Sequence, residues 1–347
     1  MKILYVGPTL AGSTTLQRLE AMRALGHEVV ELRSTDLALL RSPWQRVGLK
    51  LGLAADLDGA NAALREGVGQ GDWDLVWFDK PITIRRSTLD WVHRRAPGLR
   101  LAAYSPDDML IPPNRTRHFI RCLPAFDVFF TTKPHNVAPL LTLGARRVEL
   151  VENAYAEETH KPWPRSAADR AALGGGIGFI GDYEEDRRRM IAALAQQGLG
   201  VRIWGPNWRR HWRHPPQDVR IEGRNLYGDE YARAICNFDI NLAFLRKAAR
   251  DDITTRSLEI PACGGFMLAE RTATHLATFV EGREAEFFGS AAELSAKCRA
   301  YLAQPARALA VGVAGRVRCL RDGYGNRARL GQMLQCLDGL DVGPGQR

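Results

Sequence analysis

Short apolar runs alternate with longer amphipathic stretches along this chain, and the alternation starts twice. The first series of expected strands is Lys2–Val6, Glu28–Leu32, Asp74–Phe78, Arg100–Tyr104, Val128–Thr131 and Val148–Val151. Between them, Ser13–Leu25 carries Leu16, Leu19, Met22 and Leu25 at three-residue spacing, and Leu57–Val68 is a second amphipathic stretch. Such alternation predicts a mostly parallel α/β sheet with helices on both faces.

The pattern breaks at Thr159-His160-Lys161-Pro162-Trp163-Pro164 and at Leu173-Gly174-Gly175-Gly176. Proline stops helices and glycine adds freedom, so residues 161–176 are read as a linker. A second series then opens at Ile177–Gly181 and continues through Val201–Trp204, Val219–Glu222, Phe238–Ala243, Gly265–Ala269 and Glu286–Phe288. Helices are expected at Glu184–Gln197, Asp229–Asn237, Thr254–Cys263, Ala291–Leu302, Ala306–Arg321 and Asn326–Leu337. The expected organisation is therefore two Rossmann-like domains, 1–160 and 177–323, and a C-terminal helix with tail, 324–347. Its 347 residues agree with two domains at roughly 150 residues each. Ligands bind at the carboxyl ends of such strands, and two such domains are expected to face each other across a cleft.

Composition narrows the class. Hydrophobic residues at 45% and charged residues at 25% exclude bulk disorder. No apolar run reaches the roughly 18 residues of a membrane span. Met1–Gly7 reads as a first strand rather than a signal peptide, which gives a cytoplasmic expectation. Net charge is +9, and only seven of the 48 cationic residues are lysine. Arginine grips phosphate through a planar fork of donors, so a phosphorylated or acidic partner is one reading and a solvated basic surface the other. Six cysteines without a C-x-x-C spacing suggest buried free thiols, not a metal site or a disulfide framework.

Three loops carry candidate chemistry. Gly7-Pro8-Thr9-Leu10-Ala11-Gly12-Ser13-Thr14 follows the first strand. Gly12 lets backbone approach a ligand and Ser13 can cap the next helix, or the segment is an ordinary βα turn. Gly181 ends the strand that opens the second series. In the helix after it, Arg187 and Arg188 are phosphate candidates and Glu184 to Asp186 complement the helix dipole. Asp251-Asp252-Ile253-Thr254-Thr255-Arg256-Ser257-Leu258-Glu259 follows a buried-looking strand. Arg256 and Glu259 stand three apart on one helix face. They form either a phosphate ligand with a ribose ligand, or a surface salt bridge.

Arg256-Ser257-Leu258-Glu259-Ile260-Pro261-Ala262-Cys263-Gly264-Gly265 resembles the signature helix of the CgeB-like (spore maturation protein type) glycosyltransferases, which are similar to glycosyltransferase family 4 of the GT-B superfamily. Glu281-Gly282-Arg283-Glu284 and Tyr324-Gly325-Asn326-Arg327-Ala328 extend the resemblance. It implies a GT-B fold whose last helix crosses back to the first domain. The implied activity is transfer of a sugar from a UDP-, GDP- or dTDP-sugar to a hydroxyl of a glycan, lipid or protein. The acceptor side falls on the first domain, and no metal or other cofactor is needed. Retention of configuration is implied too. In the family's E-x7-E pattern Glu259 takes the ribose position and Asp251 the sugar-facing one, shortened from Glu, with Asp252 as its rival. Asp182 replaces a family Arg, so the diphosphate falls to Arg188 and Arg256. Gly205 is placed near the base.

Asp107 and Asp108, after the fourth strand, are candidates to orient or deprotonate the acceptor, and His135 is a third. Asn153, Tyr155 and His160 lie near the hinge. Trp204–His214 mixes indoles with cations, which suits a plain surface loop, an anionic membrane surface, an acceptor or a single-stranded nucleic acid. Two other functions compete: a nucleic-acid-binding protein, although no nucleic acid is expected, and a catalytically silent GT-B-like partner subunit.

Overall fold

The computed structural model describes residues 1–36 and 42–338. Two compact units emerge, Met1–Glu152 with the stretch from Asn326, and Asn153–Gly325. In the first unit the chain runs β1 (Lys2–Gly7), α1 (Thr14–Ala24), β2 (Glu28–Arg33), α2 (Pro43–Lys50), α3 (Ala60–Gln70), β3 (Leu75–Asp79), α4 (Arg86–Arg95), β4 (Arg100–Ser105), α5 (Arg117–Cys122), β5 (Val128–Thr131), α6 (Pro134–Thr142) and β6 (Val148–Leu150). The second holds α7 (Ala167–Ala172), β7 (Gly175–Ile180), α8 (Glu185–Ala195), β8 (Val201–Trp204), α9 (Trp208–His211), β9 (Val219–Ile221), α10 (Gly228–Asn237), β10 (Phe238–Ala243), α11 (Arg256–Ala262), β11 (Met267–Glu270), α12 (Ala273–Thr278), β12 (Glu286–Phe288), α13 (Ala291–Leu302) and α14 (Pro305–Arg321). The final helix, α15 (Asn326–Asp338), belongs to the first unit.

Each unit is built on a six-stranded sheet whose strand pairs are parallel, in the orders β2-β1-β3-β4-β5-β6 and β12-β11-β10-β7-β8-β9. Helices cover both faces, so the inner strands must be apolar throughout rather than alternating. Every residue of β3 is buried, as is all of β1 beyond Lys2. Connections reverse direction between β1 and β3 and between β7 and β10. At such switch points the loops leaving the strands diverge and leave room for a ligand.

Each expected strand is present, and Val128–Thr131, Val201–Trp204, Phe238–Ala243 and Glu286–Phe288 match to the residue. Expected Gly265–Ala269 begins later, at Met267, because Gly264 (φ +76°) closes α11 and the Gly265 N–H donates back to Ile260 O at 3.0 Å. The stretch read as a linker, 161–176, lies within the second unit. It contains α7, capped by the Ser166 hydroxyl, and the start of β7. Gly174 passes so close to α10 that a Cβ there would stand 2.2 Å from Asn237 O. The glycine answers that close approach.

α15 buries Leu330, Met333, Leu334 and Leu337 against Ile3, Leu19 and Met22. Arg329 also pairs with Glu152. Residues 339–347 of the expected tail lie outside the described residues. All six cysteines are free; five are buried and Cys336 is half-buried.

Candidate functional site

β7 ends against β8 through two glycines. Gly181 N–H donates to Trp204 O at 2.8 Å, and a Cβ on Gly205 (φ +139°) would stand 2.0 Å from Gly181 O. Only glycine allows that approach. A Cβ on Gly181 would meet Arg256 Nη2 at 2.9 Å. Arg256 opens α11 and lies over the Phe179 ring at 5.4 Å. Its Nε is buried and meets no acceptor among the described residues. A buried donor left unpaired costs about 1–3 kcal/mol, which a bound acceptor would recover.

One turn along α11, Glu259 is 8% exposed. Its Oε2 accepts a hydrogen bond from the Tyr231 hydroxyl at 2.5 Å, and its Oε1 stands 4.0 Å from His160 Nε2. The backbone N–H of Ala156 donates to His160 Nδ1 at 3.0 Å, which places the neutral ring's proton on Nε2, facing Glu259. Burial holds His160 below the ordinary imidazole value, against the pull of Glu259 and Glu157. Burial, reinforced by Glu259, holds the Tyr231 phenol well above its ordinary value, so it stays a donor. Behind α11, buried His275 fixes the first turn. Its Nδ1 contacts Glu270 O at 2.6 Å, a carbonyl that can only accept, so Nε2 accepts from the Ser257 hydroxyl at 2.8 Å.

The other expected donor ligands divide. Arg188 is paired with Glu185 at 2.5 Å and lies over Trp212 at 5.7 Å, while Arg187 shares the Phe179 ring with Arg256. Arg187 donates to Leu245 O at 3.1 Å and Asp182 O at 2.9 Å, tying β10's exit to β7's exit. Burial, with Arg256 beside it, pushes the Arg187 guanidinium down to about 10. Asp182 accepts from Tyr183 N–H at 2.7 Å and Asn207 at 2.9 Å. Asp251 N–H donates to Arg246 O at 3.3 Å, and Arg246 pairs with Glu184 at 3.6 Å. Burial raises Glu184 above the usual carboxylate range, and the Asp251 charge adds to it. Gly181, Gly205 and Arg256 therefore meet, Glu259 stands one turn along α11, the Asp251 charge acts on Glu184, and Arg188 turns to the acidic start of its own helix.

Of the readings of Trp204–His214, the surface loop holds for the exposed Arg209, Arg210, His211, Arg213 and His214, and outward-facing indoles are corrected. Trp204, Trp208 and Trp212 are 3%, 0% and 8% exposed. Trp208 packs on Phe179 and Tyr183, and its indole N–H donates to Gly181 O at 2.8 Å. The Trp204–His214 indoles are thus core that shapes the glycine turn. They present no open stacking platform and no apolar membrane contact.

In the first unit, a cavity of about 170 Å3 sits at the carboxyl ends of β1, β3 and β4. Ser13, Thr14, Thr35, Lys80 and Asp107 are among its lining residues. Gly12 (φ +78°) turns the loop, and Ser13 caps α1 by accepting Leu16 N–H at 3.1 Å. Asp107 pairs with Lys80 at 2.5 Å, and Lys80 holds a left-handed backbone (φ +55°) rare for a side chain with a Cβ. Asp108 is buried. Its Oδ1 accepts Leu110 N–H at 3.0 Å, and its Oδ2 stands 3.1 Å from His135 Nε2. The Asn136 amide, oriented to suit its neighbours, adds a donor at 2.9 Å. Asp108 and His135 therefore brace the loop beneath Asp107. Sequence reasoning missed the buried pair under this cavity. Asp79 Oδ2 accepts from Arg18 Nε at 2.6 Å and from the Tyr5 hydroxyl at 2.7 Å. Among the described residues no group of three metal-ligating side chains occurs, and no helix is long and apolar enough to cross a membrane.

Residues 187–335 match a family model described as Glycosyl transferase-like. No curated protein matches the chain. Among solved structures, the sucrose-phosphate synthase (tll1590) from Thermosynechococcus elongatus superposes with a TM-score of 0.64 at 14% identity, covering 97% of this chain and 99% of that one. Anabaena Alr3699/HepE, solved with UDP-glucose, gives 0.65 at 12% identity, over 98% and 100%. A glycosyltransferase from Rickettsia africae gives 0.62 at 11% identity, over 99% of each chain. Two six-stranded parallel sheets flanked by helices and these neighbours define the GT-B fold, two Rossmann-like units in one chain. At such identities the likeness is one of fold.

Proposed function

We propose that the chain is a glycosyltransferase whose donor is a nucleoside-diphosphate sugar bound at the carboxyl ends of β7 and β10. The observation that carries this reading is Arg256 with an unpaired buried Nε against Gly181, one turn before a buried, oriented Glu259. The guanidinium takes the diphosphate, and Glu259 accepts from the ribose hydroxyls. Gly181 and Gly205 leave room for the nucleotide, and Asp251 faces the sugar. Arg188 is the further cation on offer if Glu185 releases it. The family match over residues 187–335 and the UDP-glucose named for HepE support this choice and make UDP the first nucleotide to try.

In the reaction, the bond between the anomeric carbon and the diphosphate oxygen breaks and a bond to the acceptor oxygen forms. Charge develops on the leaving phosphate. A fixed guanidinium stabilises it without reorganisation. Asp107 is committed to Lys80 and Asp108 to its several donors, so we assign them to orienting the acceptor in the first-unit cavity. The acceptor's proton then passes to the leaving phosphate, with retention of configuration. Because Arg256 supplies the positive charge, transfer is expected to persist with a chelator present.

A thermal-shift screen with UDP, GDP, dTDP, ADP and CMP tests the reading. A ligand at about 100 times its dissociation constant adds about 2.7 kcal/mol of stability. One nucleoside diphosphate should raise the melting temperature, and the matching nucleotide sugar should be slowly hydrolysed. No shift with any of them overturns the proposal.

A further inference from the structure

Large apolar side chains gather on the outside of the first unit. Trp44 is 82% exposed, Val47 47%, Leu51 62%, Leu53 47% and Leu57 51%. Trp44, Val47 and Leu51 follow the three- and four-residue spacing of one helix face, so α2 and its continuation present a stripe. The stripe is built rather than frayed. Gln45 accepts Ser42 N–H at 3.3 Å, Leu53 N–H donates to Gly48 O at 2.8 Å, and Arg117 N–H donates to Gly52 O at 2.7 Å.

Charge decides what suits this face. Between Ser42 and Ala55 the sequence carries Arg46 and Lys50 and no acid. Gly52 packs against the backbone of Arg115 and Arg117, both exposed, which places two cations at the border. The next acids are Asp56, which is engaged by the N–H groups of Ala60 and Asn61 at 2.8 and 2.9 Å, and Asp58, exposed just beyond Leu57 at the end of the stripe. An apolar stripe with an exposed indole, bordered by the exposed Arg115 and Arg117, fits a lipid interface. There the indole and aliphatic groups enter the acyl boundary and the cations meet anionic headgroups. The stripe is also tied to the cavity. Thr35, which lines it, accepts Leu57 N–H at 2.8 Å and Asp58 N–H at 3.2 Å.

We propose that the face from Trp44 to Leu57, bordered by Arg115 and Arg117, docks this protein on an anionic lipid bilayer, with the helix lying in the interface. The full chain would be sedimented with vesicles of phosphatidylcholine alone and of equal parts phosphatidylcholine and phosphatidylglycerol. It is expected to pellet with the mixed vesicles, less so as salt rises, and poorly with the neutral ones. Trp44→Ser with Leu51→Ser should weaken partitioning by about tenfold or more while circular dichroism stays unchanged. Three results would overturn the proposal: a wild type that stays in the supernatant, a double variant that pellets equally well, or a wild-type dimer that the same substitutions dissociate. This experiment reads no nucleotide. A chain that pellets yet shows no nucleotide shift loses the enzymatic reading alone, and the converse result removes the docking face alone.

Discussion

The Tyr231 hydroxyl donates to Glu259 Oε2 at 2.5 Å, from α10 to α11, and leaves Oε1 toward His160 at 4.0 Å. Two side chains distant in sequence thus fix the orientation of the carboxylate assigned to the ribose. Tyr231→Phe removes the donor and keeps the ring. It should weaken nucleotide diphosphate binding by about tenfold, the worth of one charge-assisted hydrogen bond, with little change in fold. Titration calorimetry on both proteins checks this; equal affinities would make the bond merely structural.

Gly181 touches Arg256 differently. A methyl group at Gly181 would fall 2.9 Å from Arg256 Nη2 and 2.8 Å from the Phe179 ring. The guanidinium end can swing aside more readily than the buried ring. Gly181→Ala is therefore expected to cost about 1–3 kcal/mol of stability and to cut nucleotide affinity more than that loss of folded protein explains. Gly205→Ala, facing a backbone oxygen at 2.0 Å, should instead prevent the second unit from folding. Circular dichroism with binding assays separates the two outcomes.

The first unit rests on Arg18 and Asp79, both almost completely buried. Asp79→Ala would strand the guanidinium beneath Tyr104, over whose ring it lies at 4.7 Å. The expected cost is about 3–5 kcal/mol, read as an earlier unfolding transition in urea. A loss under 1 kcal/mol, on the order of an exposed pair, would contradict the assigned burial.

Stability should depend on pH through the buried imidazoles. Burial lowers both His160 and His275, so the unfolded chain binds protons first as pH falls. Stability is full above the unfolded value of about 6.5 and is lost progressively as pH drops through the folded values. His160→Gln should flatten this slope, in melting curves taken from about pH 8 to about pH 5. An unchanged slope would mean that His160 is protonated as readily in the folded protein.

Much of the fold was legible because each strand is a compact apolar run between turn signals, and burial on both sheet faces demands that pattern. Helices α2, α4, α5, α6, α7, α9 and α12 were not foreseen. α4 ends in His93, Arg94 and Arg95, and α6 carries Pro139, features that mask an apolar stripe. Arg256 and Glu259 stood out because three residues separate two charges on one turn. Tyr231 and Asp79 did not, since their importance arises from partners 28 and 61 residues away. The inward turn of the Trp204–His214 indoles was not legible, for a physical reason. Composition reports which side chains are present but not which way they point, and the indoles turn inward.

On the proposed function, Arg256 and Glu259 together hold a nucleoside diphosphate. Titration of UDP into the wild type, Arg256→Met and Glu259→Gln, each confirmed folded, tests it most directly. Binding to the wild type and a loss of about tenfold or more in each variant is the predicted result. Wild-type affinity retained in both variants would contradict it.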